Sequence, residues 1–416
     1  MKVILFLARI ITGLVFVFSG FVKAIDPMGS AIKFEEYFMA FKLEFLTFLS
    51  LPLAILLSSA ELMIGLSLLV KVRMKFTSWL LLVFMSFFTL LTLLSALTNP
   101  VSDCGCFGDA VKLTNWQTFG KNIILLVPTL IVFLYRKQYK PLASQFTEWY
   151  LTGVNFILPV IISVFCLVHQ PVLDFRPYTP GTSIPEKMTL PEGTPTDVYE
   201  TILIYEKDGV QKEFTETNFP WQDTTWKWVE TKQDLVKKGE EPPIHDFSIT
   251  TLQGEDITSN VLSDTGTVFL IIAPKLENAS QKGRTMMNEL AMKALNTGFT
   301  VYCLTASATT GVDNFIRNFR PAFDICTTDE TTLKTIIRAN PGLMIISKGT
   351  ILGKWNFRDA PLPGELKKNL LPVLLTNHYR MIEKLTVVVI ILIIALFYAA
   401  FFRAFIPRDY QSDIPA

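Results

Sequence analysis

The segment ARIITGLVFVFSGFVKAIDP (residues 8–27) decides the class of this protein. With the residues before it, it forms an apolar run over 3–22 in which Arg9 is the only charged residue. A run of about 20 apolar residues matches the hydrocarbon thickness of a bilayer. No small-x-small cleavage motif follows it, so we expect a retained membrane-spanning helix rather than a cleaved signal peptide. The lipid bilayer is therefore the first predicted partner.

Five further apolar runs are candidates for membrane spans. They cover about 46–70, 76–97, 122–135, 151–168 and 385–402. The run 122–135 is short enough for a core helix, but no soluble domain surrounds it, so a span is preferred. Of the 416 residues, 50% are hydrophobic and only 18% are charged. The net charge of +1 gives no reason to expect a nucleic-acid partner.

The basic residues of the loops predict the orientation of the bundle. Those that follow the second, fourth and sixth runs are Lys71, Arg73, Lys75, Arg136, Lys137, Lys140, Arg403 and Arg408. The positive-inside rule places all of them on the cytoplasmic face if the N-terminus is cytoplasmic. We therefore expect a bacterial inner-membrane protein with both termini in the cytoplasm. The loop after the third span and the region between the fifth and sixth spans would both be exported.

The loop VSDCGCFGDA (residues 101–110) holds two cysteines that are separated by one glycine. A disulfide across one residue closes a small, strained ring, which favours reduction and exchange. Gly105 avoids the steric conflict of a Cβ, and a loop gives thiols access. Thiol–disulfide exchange by Cys104 and Cys106 is the preferred interpretation, and a structural bridge to distant cysteines is the alternative. A metal site is disfavoured because no His or further Cys lies nearby in sequence.

The three remaining cysteines, Cys166, Cys303 and Cys326, also fall on the exported side of this predicted topology. An oxidising compartment favours disulfide chemistry. Because the total of five is odd, at least one thiol stays unpaired or pairs with another chain. Cys303 and Cys326 lie in apolar strands, where cysteines are most often unreactive core residues.

The first third of the chain resembles the DoxX/MauE family of membrane proteins. The resemblance covers about 8–139 and rests on the segment 8–27, on SSAELMIGLSLL (58–69) and on DCGCFG (103–108). It implies a four-helix membrane bundle that takes part in the maturation of disulfide-rich periplasmic proteins. Other relatives are linked to quinones, so the electron acceptor would be a quinone in the bundle or a second redox protein. The family does not generally carry a large exported region or a sixth span.

Two charged residues fall inside the first two predicted spans. Arg9 and Glu61 lie on neighbouring antiparallel segments, and charges within a membrane are costly unless they are paired. We expect a buried Arg9–Glu61 pair that fixes the register of the bundle, in preference to a proton or quinone role. Lys23, at the end of the first span, would extend to the interface.

The exported region begins with a segment that is difficult to classify. RPYTPGTSIPEKMTLPEGTP (176–195) has the composition of a linker that extends away from the membrane. ETILIYEKDGVQKEFTE (200–216) predicts a hairpin with Asp208 and Gly209 in its turn. The tryptophans that follow are Trp221, Trp226 and Trp228. They could form a recognition surface, but a small β-rich core packed on the next domain is the preferred explanation.

From residue 239 the pattern alternates strands and helices, which predicts an α/β domain. It resembles thioredoxin-like domains of the TlpA/peroxiredoxin type over about 239–375, opening with PPIHDFSI (242–249). Asn340-Pro341 stands where such domains carry a cis-proline. One departure matters: the segment APKLENASQKG (273–283) has no cysteine where the resemblance implies the catalytic pair. We expect the domain to bind rather than react, and His245 to be a surface loop residue.

The predicted architecture is a helical membrane bundle with six spans and an exported thioredoxin-like α/β domain. Its divisions are a four-helix bundle (1–140), a fifth span (141–170), a linker with a small β-rich segment (171–238), the α/β domain (239–378) and a C-terminal span with its tail (379–416). The predicted function is thiol–disulfide exchange with an exported protein. The alternative is a non-catalytic scaffold that packs on other subunits of an envelope complex.

Overall fold

The structure is a computed structural model of the chain. It describes residues 2–101, 103–141, 144–191, 193–195, 198–215, 218–237 and 239–366. The sixth predicted span, at 385–402, lies outside the described residues, as do Arg403 and Arg408.

Five helices of the described part are long and apolar enough to cross a membrane. They are α1 (Lys2–Ile25), α3 (Ser50–Val70, preceded by a 3-10 helix at Glu44–Leu49), α4 (Met74–Thr98), α5 (Asn115–Leu134) and α6 (Gln145–Val168). The first five predicted spans are thus confirmed in position. Helix α5 begins seven residues earlier than predicted, because Thr114 and Gln117 form a capping box that starts the helix within a polar stretch.

Helices α1 and α3 are antiparallel and approach each other closely at glycines. A Cβ on Gly20 would lie 2.5 Å from the backbone nitrogen of Leu62, and one on Gly65 would lie 2.6 Å from that of Val17. Small residues allow membrane helices to pack this tightly. These two contacts fix the register between the helices, and therefore decide which of their polar side chains meet.

The expected pair of Arg9 and Glu61 is wrong, and the register explains why. Arg9 lies near the opposite end of α1 from Glu61, and its Nη1 donates to the carbonyl oxygens of Leu68 and Leu69 at 2.5 and 2.7 Å. Glu61 instead pairs with Lys23, whose Nζ lies 2.7 Å from Oε2. Lys23 is therefore buried within the bundle and does not extend to the interface as expected.

A further helix, α2 (Pro27–Ala40), was not predicted. At 14 residues it is too short to cross a bilayer. Asp26 caps its N-terminus by accepting a hydrogen bond from the backbone nitrogen of Gly29 at 2.9 Å, and Pro27 occupies the first turn. Helix α2 packs against α3 and contributes Lys33 and Tyr37 to the region of the cysteine loop.

The connectivity gives the bundle two chemically different ends. One end of the bundle carries the cysteine loop and contacts the α/β domain. The C-termini of α1 and α4 and the N-terminus of α5 lie there. The basic loops at 71–75 and 136–140 lie at the opposite end. There the guanidinium of Arg73 lies over the ring of Trp149 at 4.3 Å, and that of Arg136 lies over Phe133 at 3.9 Å.

A three-stranded antiparallel sheet follows the bundle, in the order β2-β1-β3. Its strands are β1 (Val198–Lys207), β2 (Val210–Thr215) and β3 (Lys227–Lys237). Asp208 and Gly209 both have positive φ in the β1–β2 turn, which confirms the predicted hairpin. The expectation that the tryptophans form a core is wrong for Trp221 and Trp228, which are 71% and 60% exposed. Only Trp226 packs inward, edge-on against Phe214.

The proline-rich stretch at 176–188 does not behave as a free linker. Gly181 donates a backbone hydrogen bond to Ile351, and Ile351 donates one to Thr182, so the stretch lies along the edge of the large sheet. A short helix, α7 (Ile184–Lys187), follows, and the side chain of Ile184 is fully buried in the core. Proline has no backbone N–H to donate. It is tolerated at a sheet edge because an edge strand pairs on one side only, so some of its N–H groups have no partner in the sheet.

The large sheet has six strands in the order β4-β7-β6-β5-β8-β9, with β5, β6 and β7 parallel and the remaining pairings antiparallel. The elements are β4 (Thr250–Thr251), α8 (Thr258–Ser263), β5 (Thr267–Ile272), α9 (Gln281–Asn296), β6 (Thr300–Thr305), α10 (Thr309–Phe319), β7 (Asp324–Thr327), α11 (Glu330–Ile336), β8 (Gly342–Ser347) and β9 (Thr350–Asn356).

Hydrophobic cores cover both faces of this sheet. Along β5, Phe269 and Ile271 face the core that α9 and α10 complete, whereas Val268 and Leu270 face the core that α8 and α11 complete. The peptide bond between Asn340 and Pro341, just before β8, is cis, as the resemblance implied. The α/β prediction for this region is confirmed.

Candidate functional site: the paired thiols

The cysteine loop holds its two thiols side by side without bonding them. A hydrogen bond joins the Sγ atoms of Cys106 and Cys104 at 3.4 Å, and both residues are half-buried. Asp103 Oδ1 accepts a hydrogen bond from the backbone of Gly105 at 2.9 Å. Gly105 has a φ of +65°, and a Cβ there would lie 2.9 Å from the side chain of Lys33. Glycine is therefore required between the cysteines for its conformation and for space.

The loop rests on a buried polar triad in the bundle, formed by Ser19, Lys23 and Glu61. The Ser19 hydroxyl lies 2.8 Å from Glu61 Oε2 and 2.8 Å from the carbonyl oxygen of Cys106, and it can donate to either. Lys23 Nζ donates to Ser19 Oγ at 2.9 Å and to both oxygens of Glu61 at 2.9 and 2.7 Å. The triad thus connects the ion pair of the bundle to the backbone of one cysteine.

A second set of charged groups surrounds the thiols from the loop side. Lys33 Nζ lies 2.8 Å from Glu36 and 3.3 Å from Asp103, the residue before Cys104. Lys121 Nζ lies over the ring of Phe107 at 4.3 Å. Two ammonium groups, those of Lys23 and Lys121, act electrostatically on Cys106.

The two thiols have opposite acidities. The hydrogen bond with Cys104 lowers the pKa of Cys106 to about 6, against the effect of burial, and the charges of Lys121 and Lys23 lower it further. The same hydrogen bond, together with burial, raises the pKa of Cys104. Cys106 is therefore the more acidic member of the pair. A thiolate is the form that attacks disulfides.

A cavity of about 100 Å³ adjoins the pair. Its polar wall carries Cys104, Cys106 and the triad, and its apolar wall includes Phe16, Phe84 and Leu125. An apolar cavity of about 150 Å³ holds benzene in a well-studied case. The cavity beside the thiols is smaller, so its residues as placed do not enclose a quinone ring.

Metal chemistry finds no support in the part of the chain that the structure describes. No group of three or more His, Cys, Asp or Glu side chains is placed there to hold a metal ion.

Sequence reasoning found the two cysteines but missed most of what surrounds them. The residues it missed are Ser19, Lys33, Tyr37 and Lys121, and it assigned Lys23 to the interface. A signal for two of them was present, because Ser19 and Lys23 are four residues apart and so share one face of α1. Lys33 and Tyr37 have the same spacing on α2, but that helix was not predicted.

The α/β domain has no comparable thiol site. Cys303 and Cys326 are buried on opposite faces of the sheet, and burial raises the pKa of both, that of Cys326 to about 11. Cys166 is buried in α6. His245 lies in a loop beside Asp246, with its Nε2 2.9 Å from the carboxylate, as expected of a surface residue. Cys104 and Cys106 are the cysteines whose sulfur atoms contact each other through a hydrogen bond.

Two parts of the chain match models of known protein families. Residues 1–135, about a third of the chain, match the family model of methylamine utilisation protein MauE. Residues 199–238, which form the three-stranded sheet, match a domain of unknown function, DUF8463. No curated protein matches the chain.

One solved structure of a thioredoxin-like protein, from Aeropyrum pernix, is 17% identical to the matched part. The match covers 29% of this chain and 84% of that protein, with a TM-score of 0.24. The chain thus consists of a helical part similar to MauE, a three-stranded sheet similar to a domain of unknown function, and a six-stranded α/β domain.

Proposed function

We propose that this protein exchanges disulfides with an exported protein through Cys104 and Cys106. The observation that carries the proposal is the 3.4 Å contact between two unbonded thiols, of which Cys106 is the more acidic. Cys106 thiolate attacks a disulfide of the partner, and a mixed disulfide forms while the partner's other sulfur leaves as thiolate. Cys104 then gives its proton to that thiolate and displaces the partner from Cys106. The Cys104–Cys106 disulfide and the reduced partner, with one thiol and one thiolate, result, and no further oxidant is needed.

The proposed location is the exported side of a bacterial inner membrane. The basic loops at 71–75 and 136–140 support a cytoplasmic assignment for the opposite end of the bundle. The N-terminus would then be cytoplasmic, and the C-terminus would be cytoplasmic if the run 385–402 crosses the membrane. The proposed domain boundaries are those of a four-helix bundle at 1–140, a fifth span at 141–170, a linker with the small sheet at 171–238, the α/β domain at 239–378 and a C-terminal span with its tail at 379–416.

Serine variants of the two cysteines test the proposal against its alternatives. If the pair exchanges disulfides, C104S and C106S each abolish activity while the protein stays abundant in the membrane. If a cysteine instead forms a structural bridge, losing that bridge in the variant would lower the free energy of unfolding by about 2–5 kcal/mol and deplete the protein. Normal activity and abundance of both variants would contradict the proposal.

A second candidate, a non-catalytic scaffold in an envelope complex, is supported by a separate observation. The α/β domain lacks cysteines at 273–283, and the three-stranded sheet presents Trp221 and Trp228 to solvent. Exposed aromatic residues are typical of interfaces. A scaffold predicts that W221S and W228S release partner subunits during purification, whereas C104S and C106S do not.

A further inference from the structure

An arginine of the α/β domain reaches into the membrane bundle beside the cysteine loop. Arg338 lies two residues before the cis peptide bond at Asn340 and Pro341, and its side chain is only 8% exposed. Its Nε and Nη2 donate to the carboxylate of Asp26, between α1 and α2, at 3.0 and 2.8 Å. Nη2 also donates to Asp109 Oδ2 at 3.2 Å. Asp109 follows Cys106 by three residues, so Arg338 joins the α/β domain directly to the cysteine loop.

A second set of buried charges holds Arg338 in place. Arg176 donates to Asp174 at 2.7 Å, and Lys354 also pairs with Asp174. Arg176 donates further to the carbonyl oxygen of Thr335, and Lys354 to that of Ile336, at 3.1 and 2.8 Å. These carbonyls belong to the segment that leads to Arg338.

Together the two sets form an interface charge cluster of three acids and three bases. Its members are Asp26, Asp109, Asp174, Arg176, Arg338 and Lys354. Buried charges are tolerated when they are paired and hydrogen-bonded, as they are in this cluster. Arg338 is therefore held by buried hydrogen bonds on both sides of the contact between the α/β domain and the bundle.

Three of the polar contacts that hold the cysteine loop come from different elements of the fold. In the bundle, Ser19 contacts the carbonyl of Cys106, and Lys33 pairs with Asp103. The third contact is the pair of Asp109 and Arg338, which the α/β domain supplies. The 3.4 Å contact between the sulfurs requires the loop to keep the conformation that these contacts define.

We propose that Arg338 is a positioning residue for the cysteine pair, so that docking of the α/β domain keeps Cys104 and Cys106 in contact. This inference rests on the proposed function in that it assigns a role to residues around the exchanging thiols. It gives the thioredoxin-like domain a task although the domain lacks its own cysteine pair. Through Arg338, the α/β domain stabilises the conformation of the loop that carries the two thiols.

The test is the pH dependence of alkylation at Cys106 in the full-length protein, purified in detergent. Iodoacetamide is the probe, and tandem mass spectrometry separates Cys104 from Cys106. The informative variant is D109A, which removes both carboxylate oxygens, cuts the link to the loop and leaves the pair of Arg338 and Asp26 intact. We expect its alkylation midpoint to rise by about one pH unit, so that the rate near pH 6 falls several-fold. Removing a negative charge without moving the loop would lower the midpoint, so a rise reports the geometry of the loop.

Three further variants complete the test. R338M should show the same rise, D109E should restore the wild-type profile, and R317M, on the exposed side of α10, should leave the profile unchanged. If R338M does not fold, D109A alone decides. An unchanged or lowered alkylation midpoint of Cys106 in folded D109A would overturn the inference. Alkylation does not depend on exchange with a partner, so the inference can hold even if C104S and C106S remain active, and it can fail while they are inactive.

Discussion

At the scale of single residues, two identical side chains acquire different chemistry from their surroundings. Cys106 has Lys121 and Lys23 within electrostatic range, and the hydrogen bond between the sulfurs favours its thiolate. Cys104 has its pKa raised by the same hydrogen bond and by burial. The attacking and resolving roles that we propose follow from this difference, because a thiolate attacks and a protonated thiol supplies the proton for the leaving group.

The first prediction concerns this hydrogen bond. In the wild type, Cys106 becomes a thiolate as the pH rises through about 6 and is protonated below that value. C104A removes the donor, so the alkylation midpoint of Cys106 should rise towards the ordinary thiol value of about 8.5. The alkylation rate at pH 7 would then fall about tenfold, because a pKa of about 8 leaves a tenth of the group ionised. C104S keeps a hydroxyl donor and should shift the midpoint less; equal midpoints in wild type and C104A would show that the hydrogen bond has no effect.

The second prediction concerns the ion pair in the bundle. K23M or E61Q alone leaves a buried partner unpaired and should destabilise the protein by about 3–5 kcal/mol. The double variant should lose less than the sum of the two single losses, measured by thermal unfolding in detergent as a double-mutant cycle. The matched cycle of R9M with E61Q should be additive, because Arg9 binds carbonyl oxygens elsewhere on α3. Coupling of Arg9 rather than Lys23 to Glu61 would contradict the register.

At the scale of elements, the contact between α1 and α3 determines the site. It places Ser19 and Lys23 of α1 opposite Glu61 of α3, directly below the carbonyl of Cys106. Gly20 and Gly65 make the contact close enough for these hydrogen bonds. The helix pair is therefore a precondition for the geometry of the thiols.

The third prediction tests this packing. G20A places a Cβ 2.5 Å from the backbone of Leu62 and should destabilise the bundle by about 1–3 kcal/mol, since neither helix backbone can give way easily. G153A is the matched control: Gly153 lies within α6 and has no atom within 4 Å of an added Cβ. That control should be neutral or slightly stabilising. Equal melting temperatures for the two variants in detergent would argue against close packing of α1 on α3.

Local sequence was enough to predict three features. Apolar runs predicted the first five spans, the Cys-Gly-Cys motif marked the loop, and alternating strand and helix patterns predicted the α/β domain. The partner of Glu61 was predicted wrongly, since it depends on how α1 slides along α3, and that is set by glycine contacts between segments distant in sequence. Helix α2 was missed because its amphipathic pattern is weak and too short for a span. The edge position of 176–188 was missed because proline-rich composition describes an extended backbone but not what it packs against.

At the scale of the whole molecule, the two ends of the bundle have separate roles. One end carries the cysteine loop, α2 and the contacts to the α/β domain, including the pair of Arg338 and Asp26. A second contact joins His169, after α6, to Asp359 at 2.8 Å. The opposite end carries the basic loops. The cysteine loop and the α/β domain therefore lie at the same end of the bundle.

The fourth prediction is topological. In intact cells, a membrane-impermeant maleimide should label a cysteine introduced at Thr194, and it should not label cysteines introduced at Arg73 or Lys137 until the membrane is opened. The C104S/C106S background removes the loop thiols from the assay. Labelling of Arg73→Cys in intact cells would reverse the orientation and place the exchange site in the cytoplasm.

The central claim is that Cys104 and Cys106 exchange disulfides with a partner protein, and trapping the intermediate tests it most directly. In C104S cells, Cys106 can attack but the mixed disulfide cannot be resolved by Cys104. Non-reducing electrophoresis should then show an adduct of this protein with an exported protein, which reductant releases and which C106S and C104S/C106S do not form. Absence of any reducible adduct in C104S, together with full activity of that variant, would contradict the claim.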